Sequence, residues 1–188
     1  MRRGVFVAAT LVLALCAFAS AQNNPYPDTL KVDYFQNAFG STDQTVHITN
    51  PGTAGGALCA AVFVFDVNQE MVECCDCYSS PDGLRTLSVD TNLLSNPLTQ
   101  PAPTAGVIKI VAQSTASNGT CPTYPLSLKP TASVRAWATH LQNSGVLTET
   151  ASQDATLSTT ELERLEAECY GIWLDGSGHG LCTCGTGD

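Results

Sequence analysis

Positive charge is scarce in this chain. Eight Lys and Arg stand against seventeen Asp and Glu in 188 residues. That balance argues against nucleic acid and anionic membrane surfaces as partners, because both require Lys/Arg patches. Only three histidines are present. There is no GxSxG, no HExxH and no phosphate-binding loop, so the spacing signatures of common hydrolases, zinc proteases and nucleotide-binding folds are missing. Beyond the first twenty residues, no apolar run approaches a membrane-spanning length. No transmembrane anchor is expected.

The N-terminus reads MRRGVFVAATLVLALCAFASAQ. Arg2 and Arg3 form a positive region, Val5 to Phe18 an apolar stretch, and Ala19 and Ala21 the small residues a signal peptidase reads. Residues 1–21 are therefore expected to be a secretory signal peptide cleaved before Gln22. The apolar run is short for a bilayer span. A lipoprotein signal at Cys16 would need a small residue where Leu15 stands. Without Arg2 and Arg3, six basic residues face seventeen acidic ones, a formal net charge of −11. The remaining length suits one domain with a genuine core.

What the chain does have is cysteine. Setting Cys16 aside leaves eight of the nine: Cys59, Cys74, Cys75, Cys77, Cys121, Cys169, Cys182 and Cys184. An even number in an exported chain reads as a disulfide framework. The stretch VECCDC holds three of them. Structural zinc favours paired CxxC-type spacings, so CCxC with the distant Cys182, Cys184 and His179 matches poorly. A redox centre would want CxxC in a βαβ setting. A Cys74–Cys75 bridge is sterically awkward, since neighbouring strand residues point to opposite faces. Three cysteines in this cluster and three in the C-terminal segment favour three bridges between them, with Cys59–Cys121 as the fourth. If residues 74–77 are extended, Cys75 and Cys77 share a face and Cys74 takes the other. One bridge would then run to a helix and two to the tail.

Alternation of apolar and polar residues marks half-buried strands in LKVDYF (30–35) and TVHIT (45–49). LCAAVFVFD (58–66) is a continuous apolar run, the pattern of a strand buried on both faces. LRTLSVD (84–90), VIKIVAQS (107–114) and SVRAWATHLQ (133–142) read as further strands. Residues 96–106 carry three prolines and form a connection. Short strands at this spacing predict a mainly β, Ig-like sandwich over 22–145. In 146–188, Ser158 and Glu161 form a capping box. Leu162, Leu165, Cys169, Ile172 and Trp173 follow as an apolar stripe, and the glutamates lie on the solvated side. An amphipathic helix and a Gly-rich, disulfide-held tail should therefore pack on the sandwich.

Candidate ligand residues are few. His179 lies in GSGHG, where glycines allow close backbone approach to a ligand. Asp66, Asn68 and Glu70 alternate as D-x-N-x-E, but the Gly and terminal Glu of a calcium loop are absent, and turn chemistry explains them. His47 is expected on a solvated strand face and His140 late in a strand, near no nucleophile. No catalytic set, metal site or cofactor is visible. Asn118-Gly119-Thr120 is a glycosylation sequon.

The segments VFDVNQEMVECCDC, GLRTLSVDTNLLSNPLT and ECYGIWLDGSGHGLCTCG resemble a group of uncharacterised exported bacterial proteins, cysteine-containing and β-rich. The resemblance spans almost the whole mature chain and implies a bacterial secreted or periplasmic protein. It implies no activity, ligand or catalytic residue. The expectation is a non-enzymatic exported module with a structural, adhesive or surface-interaction role. A small-ligand or metal-binding protein is the alternative, and a secreted hydrolase the third class.

Overall fold

The computed structural model describes residues 26–36, 38–40, 42–122, 124, 127–142, 145–185 and 187. The expected signal peptide lies outside them. Among these residues nine strands form two antiparallel sheets: β1 (Tyr26–Gln36), β2 (Thr45–Thr49), β3 (Leu58–Asp66), β4 (Met71–Ser79), β5 (Leu84–Ser88), β6 (Ala105–Ser114), β7 (Arg135–Leu141), β8 (Leu147–Ala151) and β9 (Gln153–Leu157). The larger sheet runs β4-β3-β6-β1-β9 and the smaller β5-β2-β7-β8. One helix, α1 (Thr159–Asp175), follows. The mainly β expectation with one C-terminal helix holds.

The layers follow from alternation. Phe35, Val46, Ile48, Val62, Leu87, Ile108 and Ala136 meet in the core between the sheets. On the other side of the larger sheet, Leu30, Phe63, Phe65 and Val111 pack against Leu162, Leu165, Cys169 and Ile172 of α1. The architecture is helix, sheet, sheet. β3 is therefore buried on both faces, as its unbroken apolar run requires. β1 is covered on both sides only around Leu30, and its outer side opens to solvent at Tyr34. Leu30 meets the helix layer, while Lys31 and Asp33 point between the sheets and are only 3% and 6% exposed.

Helix α1 starts where the capping box puts it, with the Ser158 side chain accepting from the Glu161 amide. Trp173 departs from the expected stripe and is 44% exposed. Its neighbour Ile172 is buried, and consecutive helical residues lie about 100° apart, so both cannot face the sheet. The glutamates are less solvated than expected. Glu161 bonds Lys109 and Arg164, Glu168 pairs with Arg164 at 3.1 Å, and Glu166 accepts from the Leu128 amide. Burial opposes ionisation of Glu161, but hydrogen bonds and charge from Arg164 and Lys109 outweigh it and hold its carboxyl below the usual range. The expected strand 84–90 ends at Ser88, which caps a short π-helical turn over Val89–Leu93.

Four disulfides are present among the described residues: Cys59–Cys121, Cys74–Cys169 to α1, and Cys75–Cys182 and Cys77–Cys184, which fix the tail. Cys75 and Cys77 face the core between the sheets, and Cys74 faces the helix layer. Residues 180–184 run beside the edge strand β4, where the Cys74 amide donates to Gly180 O and Cys182 N to Cys74 O. The tail then reaches β5. A Cβ at Gly185 would sit 2.3 Å from Thr86 O, and one at Gly187 2.1 Å from Leu84 O. Only glycine lets the chain lie this close to β5. The tail thus seals the seam between β4 and β5, two edges otherwise open to strand addition.

Candidate functional site

The sequence-derived ligand residues occupy two separate places. Asp66 ends β3, and its Oδ1 accepts from the Asn68 and Glu70 amides at 2.8 and 2.9 Å, while Oδ2 accepts from Asn68 Nδ2 at 3.1 Å. The carboxylate organises the β3–β4 turn. His179 lies in the tail, with Nδ1 2.7 Å from Asn96 Oδ1. Asn96 also donates from Nδ2 to Gly178 O at 2.7 Å and accepts the Gly180 amide on its carbonyl. No hydrogen bond joins His179 to Asp66, Asn68 or Glu70 among the described residues. The close-set groups with metal-ligand atoms, Cys75–Cys77–Cys184 and Cys59–Asp76–Cys121, consist of bridged cysteines plus one acid.

Three buried polar clusters have no sequence signature. Asp33 Oδ2 accepts from the Ser152 hydroxyl at 2.7 Å, and its Oδ1 lies 3.3 Å from His140 Nε2. The approach is close enough for an ion pair but lacks hydrogen-bond alignment, so both His140 nitrogens are left without an aligned partner. Ser152 bonds the carboxylate and not the imidazole. That arrangement lacks the nucleophile–base contact of acyl transfer.

The other two clusters sit on β4. Glu73 is fully enclosed; Oε1 accepts from the Asn96 amide at 2.7 Å and Oε2 has no partner. Burial pushes its carboxyl up to about 8, the Asn96 bond opposing only part of the shift. Asp76 is enclosed beside Gln113, which donates to Oδ2 while Oδ1 is unpartnered. Burial raises it to about 7 against that bond. Glu73 is therefore largely protonated at neutral pH and Asp76 about half so, and both tie β4 to its surroundings.

The surface feature with chemical variety is the outer face of the smaller sheet. Val46, Ile48, Leu87, Ala136 and Ala138 turn inward, so Thr45, His47, Thr86, Trp137, Thr139 and Glu149 turn outward. Register places His47 between Thr86 and Trp137 on neighbouring strands. His47 shares hydrogen bonds with Thr45 Oγ1 at 3.1 Å and Thr86 Oγ1 at 3.0 Å. Its ring stacks on Trp137 with centroids 5.4 Å apart. Trp137 Nε1 donates to Glu149 Oε1 at 3.1 Å, and Thr45 and Thr139 hydroxyls meet at 2.9 Å. His47 is thus half-buried in a network, and not the freely solvated side chain expected from alternation. A polar groove of about 450 Å³ continues from Thr45 and Thr86 to Ser88, Asn92 and Thr183. The larger sheet carries α1 on its outer face; among the described residues nothing packs on this one.

A second aromatic group lies on α1. Trp173 stacks on Tyr124 at 4.7 Å and on Tyr170 at 5.8 Å. No protein family, curated protein or solved structure matches the chain.

Proposed function

We propose that this chain is an exported surface-interaction module that engages its partner through the bare face of the smaller sheet. The observation that carries the reading is the asymmetry of the sandwich. One sheet is covered by α1 and pinned to it by Cys74–Cys169, whereas the other presents a hydrogen-bonded array of Thr, His, Trp and Glu to solvent. Four disulfides suit an oxidising compartment, and the cysteine-bearing segments resemble exported bacterial proteins. No helix among the described residues is long and apolar enough to cross a membrane. A polar face that is uncovered among the described residues fits a surface contact, and the buried Asp33, Glu73, Asp76 and His140 side chains lie away from it.

The test uses the disulfide-intact protein and cell-surface material from the producing culture. Wild type and Glu163→Lys, on the exposed side of α1, should sediment with the material. Thr86→Arg, which places a long cation beside His47 on the edge strand β5, should not. Equal retention of both variants would reject the face as the contact surface.

A further inference from the structure

We propose that the occupant of this face is a neutral polysaccharide, bound by stacking on Trp137 and by hydroxyl exchange with the surrounding Thr and Glu side chains. The inference rests on the surface-interaction reading and names its partner by chemistry. Three observations lead to it.

The first is charge. In a chain with seventeen acids, the outward residues of the four strands include one carboxylate, Glu149, and one Arg, Arg135. The face is close to neutral on an acidic protein. A cationic partner would find stronger attraction elsewhere, and an anionic polymer would meet too few cations. A neutral polymer suits this face.

The second is the kind of polar group. Thr45, Thr86 and Thr139 are already oriented by bonds to His47 or to each other. A hydroxyl carries one donor and two acceptor sites, so Thr45 and Thr86 keep capacity for a ligand after making those bonds, while Thr139 Oγ1, which also accepts from the Thr45 amide and donates to Thr45 O, serves to hold Thr45 in place. Prior ordering reduces what binding must immobilise. Sugar hydroxyls both donate and accept, and Glu149 adds a charged acceptor.

The third is the indole. Trp137 is anchored at its edge by Glu149 and stacked on one face by His47, which leaves the opposite indole face as the fixed apolar surface among hydroxyls. A pyranose ring has the same dual character, with apolar C–H faces and a polar rim. A protein partner would want a broader apolar centre. Here the other large apolar residues turned outward are Leu84, on one edge strand, and the Leu141–Leu147 pair at the far end of β7 and β8. The groove running on through Ser88, Asn92 and Thr183 gives a linear chain a continued polar path.

Affinity electrophoresis through gels containing soluble neutral polysaccharides (a β-glucan, an α-glucan, a mannan and a galactan), with alginate as the acidic comparator, reads the binding. Wild type and Trp173→Phe should be retarded by at least one neutral polymer and not by alginate. Trp137→Ala should weaken that retardation by at least about tenfold in dissociation constant, the effect of losing a central aromatic contact. Thr86→Val, a milder change, should weaken it several-fold and guards against a Trp137→Ala variant that fails to fold. In Trp173→Phe, emission comes from Trp137 alone and should shift to the blue on saturation. No retardation by any neutral polymer, preference for alginate, unchanged binding by folded Trp137→Ala and Thr86→Val, or loss of binding in Trp173→Phe would each overturn the proposal. The partner chemistry separates from the face itself through treatment of the cell-surface material. Periodate, which cleaves vicinal diols, should abolish retention of wild type. If protease abolishes it and periodate does not, the glycan falls while the sheet-face reading stands.

Discussion

Glu73 supplies a prediction whose sign is easily mistaken. An enclosed carboxyl pushed up to about 8 from 4.5 holds its proton in the folded state over a range where the unfolded chain releases it. Between those values the unfolded state binds fewer protons, so stability falls as pH rises. Full stability from this group is present below about pH 4.5, and the loss is complete above about pH 8. At 1.36 kcal/mol per unit, the loss is roughly 5 kcal/mol across the window and about 3 by pH 7. Asp76, raised from 3.8 to about 7, adds a loss of similar sign and size between about pH 4 and 7. Guanidinium unfolding of the disulfide-intact protein at several pH values from 5 to 8.5 measures the slope. Glu73→Gln keeps an acceptor for the Asn96 amide and should remove the slope above pH 7 and about half of it between pH 5 and 7. The additional Asp76→Asn change should flatten most of the rest. The absolute stability of either variant is secondary, because a buried amide brings its own unsatisfied donors. A wild type whose stability is constant or rises from pH 5 to 8.5, or a Glu73→Gln variant with the wild-type slope, would refute the argument.

Other expectations follow from the same contacts. Leu165 is fully buried on the sheet-facing side of α1, and Leu165→Ala should cost about 2–5 kcal/mol in denaturant unfolding. Glu163→Ala, on the exposed side, should change stability by no more than about 0.5 kcal/mol; equal effects would reject the helix orientation. Intact mass should place the unreduced mature protein eight hydrogens below its reduced form, two for each of the four bridges. Non-reduced peptide maps should link Cys74 to Cys169, Cys75 to Cys182 and Cys77 to Cys184, and a linkage of Cys74 to the tail would contradict the layer order. Under graded reduction, hydrogen exchange should speed first in residues 180–185, because this Gly-rich segment has little apolar area to hold it once Cys75–Cys182 and Cys77–Cys184 open. N-terminal sequencing of exported material should begin at Gln22, and an acylated Cys16 would contradict cleavage there.

The scaffold was readable wherever a local pattern had one physical cause. The unbroken run in β3, the capping box at Ser158 and the alternation that splits Cys74 from Cys75 and Cys77 each depend on residues a few positions apart. β8 and β9 were not readable. LTETA and QDATL lie largely exposed, so they carry no apolar alternation, and they fall in the segment assigned to the helix and tail. The polar residues of β1 misled for a related reason: alternation distinguishes two faces but does not say that the polar one is wet. The Asp33–His140 pair joins strands of different sheets, and no spacing along the chain encodes it. The candidate site was the least legible part. TVHIT and the Trp in RAWATHL were each placed on strands, but their contact depends on β2 and β7 being neighbours, which is a property of sheet order.

The most direct test of the account is hydroxyl-radical footprinting of the disulfide-intact protein, free and bound to cell-surface material from its producing culture. Indole and imidazole side chains are readily oxidised, and the two tryptophans lie on different surfaces, Trp137 on the bare sheet and Trp173 on α1. The account predicts that binding protects Trp137 and His47 and leaves Trp173 and Tyr170 as reactive as in the free protein. Protection of Trp173 and Tyr170, with Trp137 unchanged, would contradict it.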